Sequence, residues 1–129
     1  MVNLYINESR VGDVAVLDLK GRIRVSGANL VLLRSIQCLA DEGKTKILLN
    51  LAGVNHIDSA GLGELISSHI TMSNKGGELK LVHLTEGLRE LLTITKLLTV
   101  LDVYDDEPDA LASFTGHVLS VVEPQAFSM

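Results

Sequence analysis

Between His56 and Leu65 the chain reads HIDSAGLGEL, and this stretch holds most of the residue types that could do chemistry. Ser59 beside Asp58 is a candidate nucleophile, helix cap or modification site. Gly61 and Gly63 are candidates for a phosphate cradle, and His56 and Asp58 are metal-ligand types. A nucleophile elbow reads G-x-S-x-G at a strand-to-helix turn. Ser59 has Gly61 in the last place but Ile57 in the first. A triad also needs a histidine and an acid, yet His69 falls on a predicted apolar stripe, His83 inside a predicted strand, and His117 near the end of the chain. No catalytic residue is assigned. The run from Gly61 begins like a dinucleotide fingerprint, but Ile66 stands where the third glycine is required. Gly43-Lys44-Thr45 resembles the end of a P-loop, but Cys38 replaces its first glycine and the stretch follows a helix instead of opening one. His56 and Asp58 have no third ligand at a familiar spacing. No metal and no cofactor is expected, and Cys38 reads as a small apolar residue of the first helix.

Composition narrows the classes further. The 129 residues fit one domain with room for a core, and 47% of them are apolar. No apolar run approaches the ~20 residues of a membrane span. The opening MVNLYINESR alternates polar and apolar residues and does not resemble a signal peptide. One cysteine builds no disulfide framework and suits a reducing compartment. A net charge of −5 and 3% aromatics leave neither a basic footprint nor a stacking platform for nucleic acid. The expectation is a small, acidic, soluble cytoplasmic domain.

The elements that must position Ser59 follow from periodicity. Leu4 to Arg10 and Val14 to Leu19 alternate as strands, with Gly12-Asp13 as the turn between them. Lys20-Gly21-Arg22 breaks the pattern. From Ala28 to Glu42 the spacing is helical, with Leu32, Ile36 and Leu39, then Leu33, Ile36 and Ala40, on one face, Ser26 as N-cap and Gly43 past the end. Ile47 to Leu51 is a short buried strand. A second helix from about Ala60 to Asn74 carries a stripe of Leu62, Leu65, Ile66, His69, Ile70 and Ser73. A strand through Leu79, Leu81, Val82 and Leu84 follows. Thr85 caps a third helix with Leu88, Leu91, Leu92 and Thr95 inward. Val100 to Tyr104 is the last strand, and Asp106 caps a fourth helix with Pro108 in its first turn and Ala110, Leu111 and Phe114 as packing residues. The order β-β-α-β-α-β-α-β-α predicts an α/β fold with a mixed sheet, an N-terminal hairpin and a parallel centre, and four helices packed against it.

In that frame Ser59 arrives at the start of the second helix. Asp58 or Ser59 is its N-cap, worth about 1 kcal/mol. No capping box supports it, because Leu62 stands three residues past Ser59. Two glycines in the first turn cost up to ~1 kcal/mol each relative to alanine. Their presence points to close backbone approach there by another chain or by a phosphate.

The stretch IDSAGLGEL, preceded by KILLNLAGV and followed by GGELKLVHL, resembles the signature of the STAS domain family, and more narrowly the bacterial anti-sigma factor antagonists. The resemblance runs from about Leu4 to Phe114 and includes DLKGRI and LDVYDDEPDALASF. It assigns residues 1–115 to a STAS domain and leaves 116–129 as a C-terminal extension. It implies that Ser59 is the phosphoacceptor of an anti-sigma factor that is itself a serine kinase. The unphosphorylated domain would bind that kinase and free the sigma factor, and a PP2C-like serine phosphatase would reset the cycle. It implies a switch and substrate without catalysis of its own, and a monomer or weak dimer is expected. Asp58, Gly61, Leu62, Gly63, Gly21, Arg22 and Arg24 would form the partner surface, with Asp58 and Glu64 making it acidic. One departure stands out. Many antagonists read G-x-L/I-D where this chain has Gly21-Arg22-Ile23-Arg24, so Arg24 replaces an aspartate. The alternative reading of that change is a STAS scaffold or nucleotide-sensing domain without a phosphoserine cycle.

Overall fold

The hairpin expected at the start of the chain forms over Leu4–Val11 (β1) and Val14–Ile23 (β2), closed by Gly12 at φ +59°. The computed structural model describes residues 4–23 and 31–114. Ser26 as a helix cap, the helical start at Ala28, Arg24, His117 and the extension beyond Thr115 lie outside the described residues.

Helix α1 covers Val31–Asp41, β3 Lys46–Ile57, α2 Ser59–Asn74, β4 Glu78–Val82, α3 Glu86–Ile94, β5 Asp102–Tyr104 and α4 Glu107–Ala112, with a 3₁₀ turn at Leu97–Thr99. The five strands form one sheet in the order β1-β2-β3-β4-β5. β1 and β2 are antiparallel, and every later pairing is parallel. The expected mixed sheet is therefore the observed one, with β3 at its centre.

Side-chain alternation sorts the two faces of the sheet. Ala15, Leu17, Leu19, Ile47, Leu49, Leu51, Leu79 and Leu81 pack with Leu32 and Ile36 of α1, Leu65 and Met72 of α2, and Leu88 and Leu92 of α3. On the other face Val14, Val16, Leu48 and Val82 meet Ala110 of α4 and Phe114 just beyond it. Helix stops follow the turn chemistry: Gly43 and Gly76 sit at φ +86° and +76° after α1 and α2.

Several expected boundaries shift. β2 does not break at Lys20-Gly21-Arg22 but runs on to Ile23. Gly21 at φ +113° absorbs a register shift there, and Ile23 still pairs with Ile57. β3 is likewise longer than Ile47 to Leu51, because its mostly exposed second half, Ala52 to Ile57, has β2 to pair with. β4 ends at Val82, and His83, read as a strand residue, is exposed at φ +60°. β5 begins at Asp102, with Val100 half-exposed before it. Cys38 is exposed on α1 rather than packed. On α2 the buried face holds Gly61, Leu62, Glu64, Leu65, Ser68 and Met72. Ile70 and Ser73, assigned to the apolar stripe, face solvent. Ser68 can be buried because its hydroxyl donates to the Glu64 carbonyl at 2.9 Å.

Candidate functional site

The site lies where the central strand turns into α2. Ile57 is the last residue of β3, and Asp58 follows in an extended conformation (φ −104°, ψ −179°). Its carboxylate Oδ1 accepts the Gly61 N–H at 2.7 Å, and its carbonyl accepts the Leu62 N–H at 2.8 Å. Asp58 is thus the N-cap, and its negative charge sits at the positive end of the α2 dipole. Ser59 is the first helical residue. Its side chain is exposed, and its hydroxyl makes no hydrogen bond among the described residues. A bare hydroxyl at a helix start is open to modification, and the positive end of the α2 dipole favours an anion there.

The other expected site residues divide into two groups. Gly63 is exposed, with nothing within 4 Å of the place an added Cβ would take. Arg22 is exposed at the end of β2 and pairs with His56 of β3, one step from the Ile23–Ile57 pair that abuts Asp58. Gly21 is half-buried one residue earlier. These residues share the end of the sheet with Ser59. Gly61 is buried, and Leu62 is only 7% exposed and belongs to the core. Leu62 therefore presents no apolar contact to a partner. Arg24 lies outside the described residues.

Glu64 needs a larger correction. Its side chain does not add to an acidic surface: the residue is 5% exposed, and Oε2 accepts the Leu33 N–H of α1 at 3.0 Å. Periodicity gives no hint of this, because the partner is 31 residues away.

A neighbouring feature also escaped the sequence reading. A cleft of about 380 Å³ runs between the end of β3 and α3, lined by His56, Ile57, Thr85, Leu88, Leu91 and Ile94 among others. Ile94 is 71% exposed at its rim. The available signal was that Ile94 lies off the Leu88–Leu92 stripe. Among the described residues no group of three or more His, Cys, Asp and Glu side chains is placed to hold a metal ion. Nor is any helix there long and apolar enough to cross a membrane.

A five-stranded mixed sheet that ends its central strand in a capped helix start, with a free serine hydroxyl at the first helical position, defines a small α/β domain with an exposed site at a strand's carboxyl end. The chain belongs to the STAS domain family, which matches residues 5–110. It is 31% identical over 102 residues to the anti-sigma-B factor antagonist of Bacillus subtilis, covering 79% of this chain and 90% of that one. It is 24% identical over 110 residues to the anti-sigma F factor antagonist of Paenibacillus polymyxa, covering 85% and 94%. The crystal structure of an anti-sigma factor antagonist from Mycobacterium paratuberculosis superposes with a TM-score of 0.74 at 19% identity, covering 86% of this chain and 93% of that one.

Proposed function

We propose that this protein is an anti-sigma factor antagonist switched by phosphorylation of Ser59. The observation that carries the reading is the division of labour at the start of α2. Asp58 takes the capping bond from Gly61, so Ser59 is left exposed as the first helical residue. A serine needed for the cap would be costly to modify, whereas this one is dispensable to the fold. Relatives named as anti-sigma factor antagonists support the choice of partner.

In the unphosphorylated state the domain binds an anti-sigma factor with serine kinase activity, through the α2 start, Gly63 and the adjoining β2 end at Gly21 and Arg22. Sigma factor is released as a result. Transfer of the ATP γ-phosphoryl group to the Ser59 hydroxyl adds −1.5 to −2 charges at neutral pH. The α2 N-terminus tolerates that charge, but an interface fitted to a small hydroxyl beside Asp58 does not. The complex separates, and a serine phosphatase restores the hydroxyl. On this reading the domain is a cytoplasmic substrate and switch that performs no chemistry itself.

The test is direct: incubate the protein with a kinase-type anti-sigma factor and ATP, and map phosphate by mass spectrometry. A single phosphate on Ser59 is the expected result. Phosphate elsewhere, or none, sinks the reading.

A further inference from the structure

We propose that Glu64 is a positioning residue of this switch, locking the first turn of α1 to the helix that carries Ser59. The inference rests on the phosphoserine reading above, but its observation is independent of it. α1 begins, within the described residues, at Val31, and Leu33 lies in its first turn. Within the described residues the Leu33 N–H finds its acceptor outside α1, and α1 has no acidic residue in its first turn. Glu64 of α2 supplies the acceptor from across the fold, with Oε2 3.0 Å from the Leu33 nitrogen. The bond is charge-assisted and the carboxylate lies at the positive end of the α1 dipole, so the contact does for α1 what Asp58 does for α2.

Burial makes the contact directional. A carboxylate on a residue only 5% exposed needs its partner, and it has little freedom to find another. The geometry also connects this lock to the site. β2 reaches the site end of the sheet at Ile23, which pairs with Ile57, the residue before Asp58. Ile23 at the end of β2 and Leu33 of α1 are therefore both tied to the β3–α2 junction, the first by strand pairing with Ile57 and the second by Glu64. Glu64 lies about 1.4 turns from Ser59 on the same helix, so a change in how α2 sits moves Leu33 of α1 with it. A partner that engages Ser59 and the β2 end together requires that spacing to be held.

The experiment uses the full chain in three forms: wild type, Glu64→Leu and Glu64→Gln. Amide hydrogen exchange at Leu33 and steady-state phosphorylation of Ser59 by the anti-sigma factor kinase are read for each. Glu64→Leu is expected to speed Leu33 exchange at least tenfold and to raise the KM for the protein substrate severalfold, with kcat within twofold of wild type. Glu64→Gln keeps an acceptor oxygen at the same reach and is expected to restore both. If Glu64→Leu does not fold, Glu64→Asp, one methylene shorter, takes its place with the same expected losses. Unchanged Leu33 exchange overturns the lock. Faster exchange with an unchanged KM overturns the positioning role and leaves a merely structural bond. If wild type takes no phosphate on Ser59, the switch and the positioning role both fail, while the exchange comparison still decides whether the lock exists.

Discussion

The Asp58 carboxylate accepts the Gly61 N–H at 2.7 Å, and this bond separates the residue that holds the start of α2 from Ser59, the residue presented there. Removing the acceptor by Asp58→Ala should cost about 1 kcal/mol of stability, while Asp58→Asn, also a good N-cap, should retain most of it. Urea unfolding followed by circular dichroism checks this through the midpoints. Equal midpoints for Ala and wild type would show that the cap carries no energy.

Ser59 itself has no such role, so its substitutions should leave stability alone and change binding. Ser59→Ala and Ser59→Asp should both unfold within about 0.5 kcal/mol of wild type, as expected for exposed positions. Binding to the anti-sigma factor should survive in Ser59→Ala. It should fall at least tenfold in Ser59→Asp, about 1.4 kcal/mol. Calorimetric titration measures both, and equal affinities would remove the charge mechanism.

Local signals in the sequence give Thr85 and Asp106 as caps and leave the α2 cap between Asp58 and Ser59, which the structure decides for Asp58. Asp58, Thr85 and Asp106 each precede a helix, and each side chain accepts the N–H three residues on. What sequence could not settle is the pairing of distant segments. β3 reads as ending at Leu51, because Val54 is the lone buried apolar residue between there and Ile57. Its further extent depends on β2 continuing past Gly21, a non-local event. The α2 stripe went wrong for a related reason. Hydrophobic spacing favoured Ile70, which is 50% exposed, over Glu64 and Ser68, which are buried because each finds a hydrogen-bond partner. A rule that sorts residues by polarity alone does not anticipate a polar side chain satisfied inside the core. The position of Ser59 at the start of α2 is legible because its setting is local, and the Glu64–Leu33 bond is not because it joins two helices.

Among the described residues Lys80 joins Glu64 and Ser68 as a polar residue drawn into the interior. It is 6% exposed on β4, with its ammonium 3.3 Å from Asp102, 3.8 Å from Glu78, and 5.5 and 5.2 Å from the centroids of the Tyr104 and Phe114 rings. Its long stem fills space beneath α4 as well as bringing a charge. Lys80→Met keeps the stem and leaves Asp102, whose side chain is 55% exposed, solvated. It should stay within ~1 kcal/mol of wild type. Lys80→Ala removes the stem and should cost about 2 kcal/mol. The ordering Ala below Met in urea midpoints checks this, and a Met midpoint as low as that of Ala would show that the ion pair, lost in both variants, outweighs packing.

Gly53 and Gly63 differ in what the fold asks of them. Gly53 sits so close to β2 that an added Cβ would lie 2.7 Å from the Leu19 carbonyl oxygen, so Gly53→Ala must push two strands apart and should destabilise the protein. Gly63 has nothing within 4 Å of that position and lies inside α2, where alanine is the better helix former. Gly63→Ala should therefore stabilise the protein by up to ~1 kcal/mol. A glycine that weakens its helix without any steric requirement from the fold is explained if another chain closes over the α2 start. The same methyl group should then lower affinity for the anti-sigma factor severalfold while the urea midpoint rises. A rise in stability with unchanged affinity would place the partner surface elsewhere. A fall in stability would mean that the open space beside Gly63 is closed in solution.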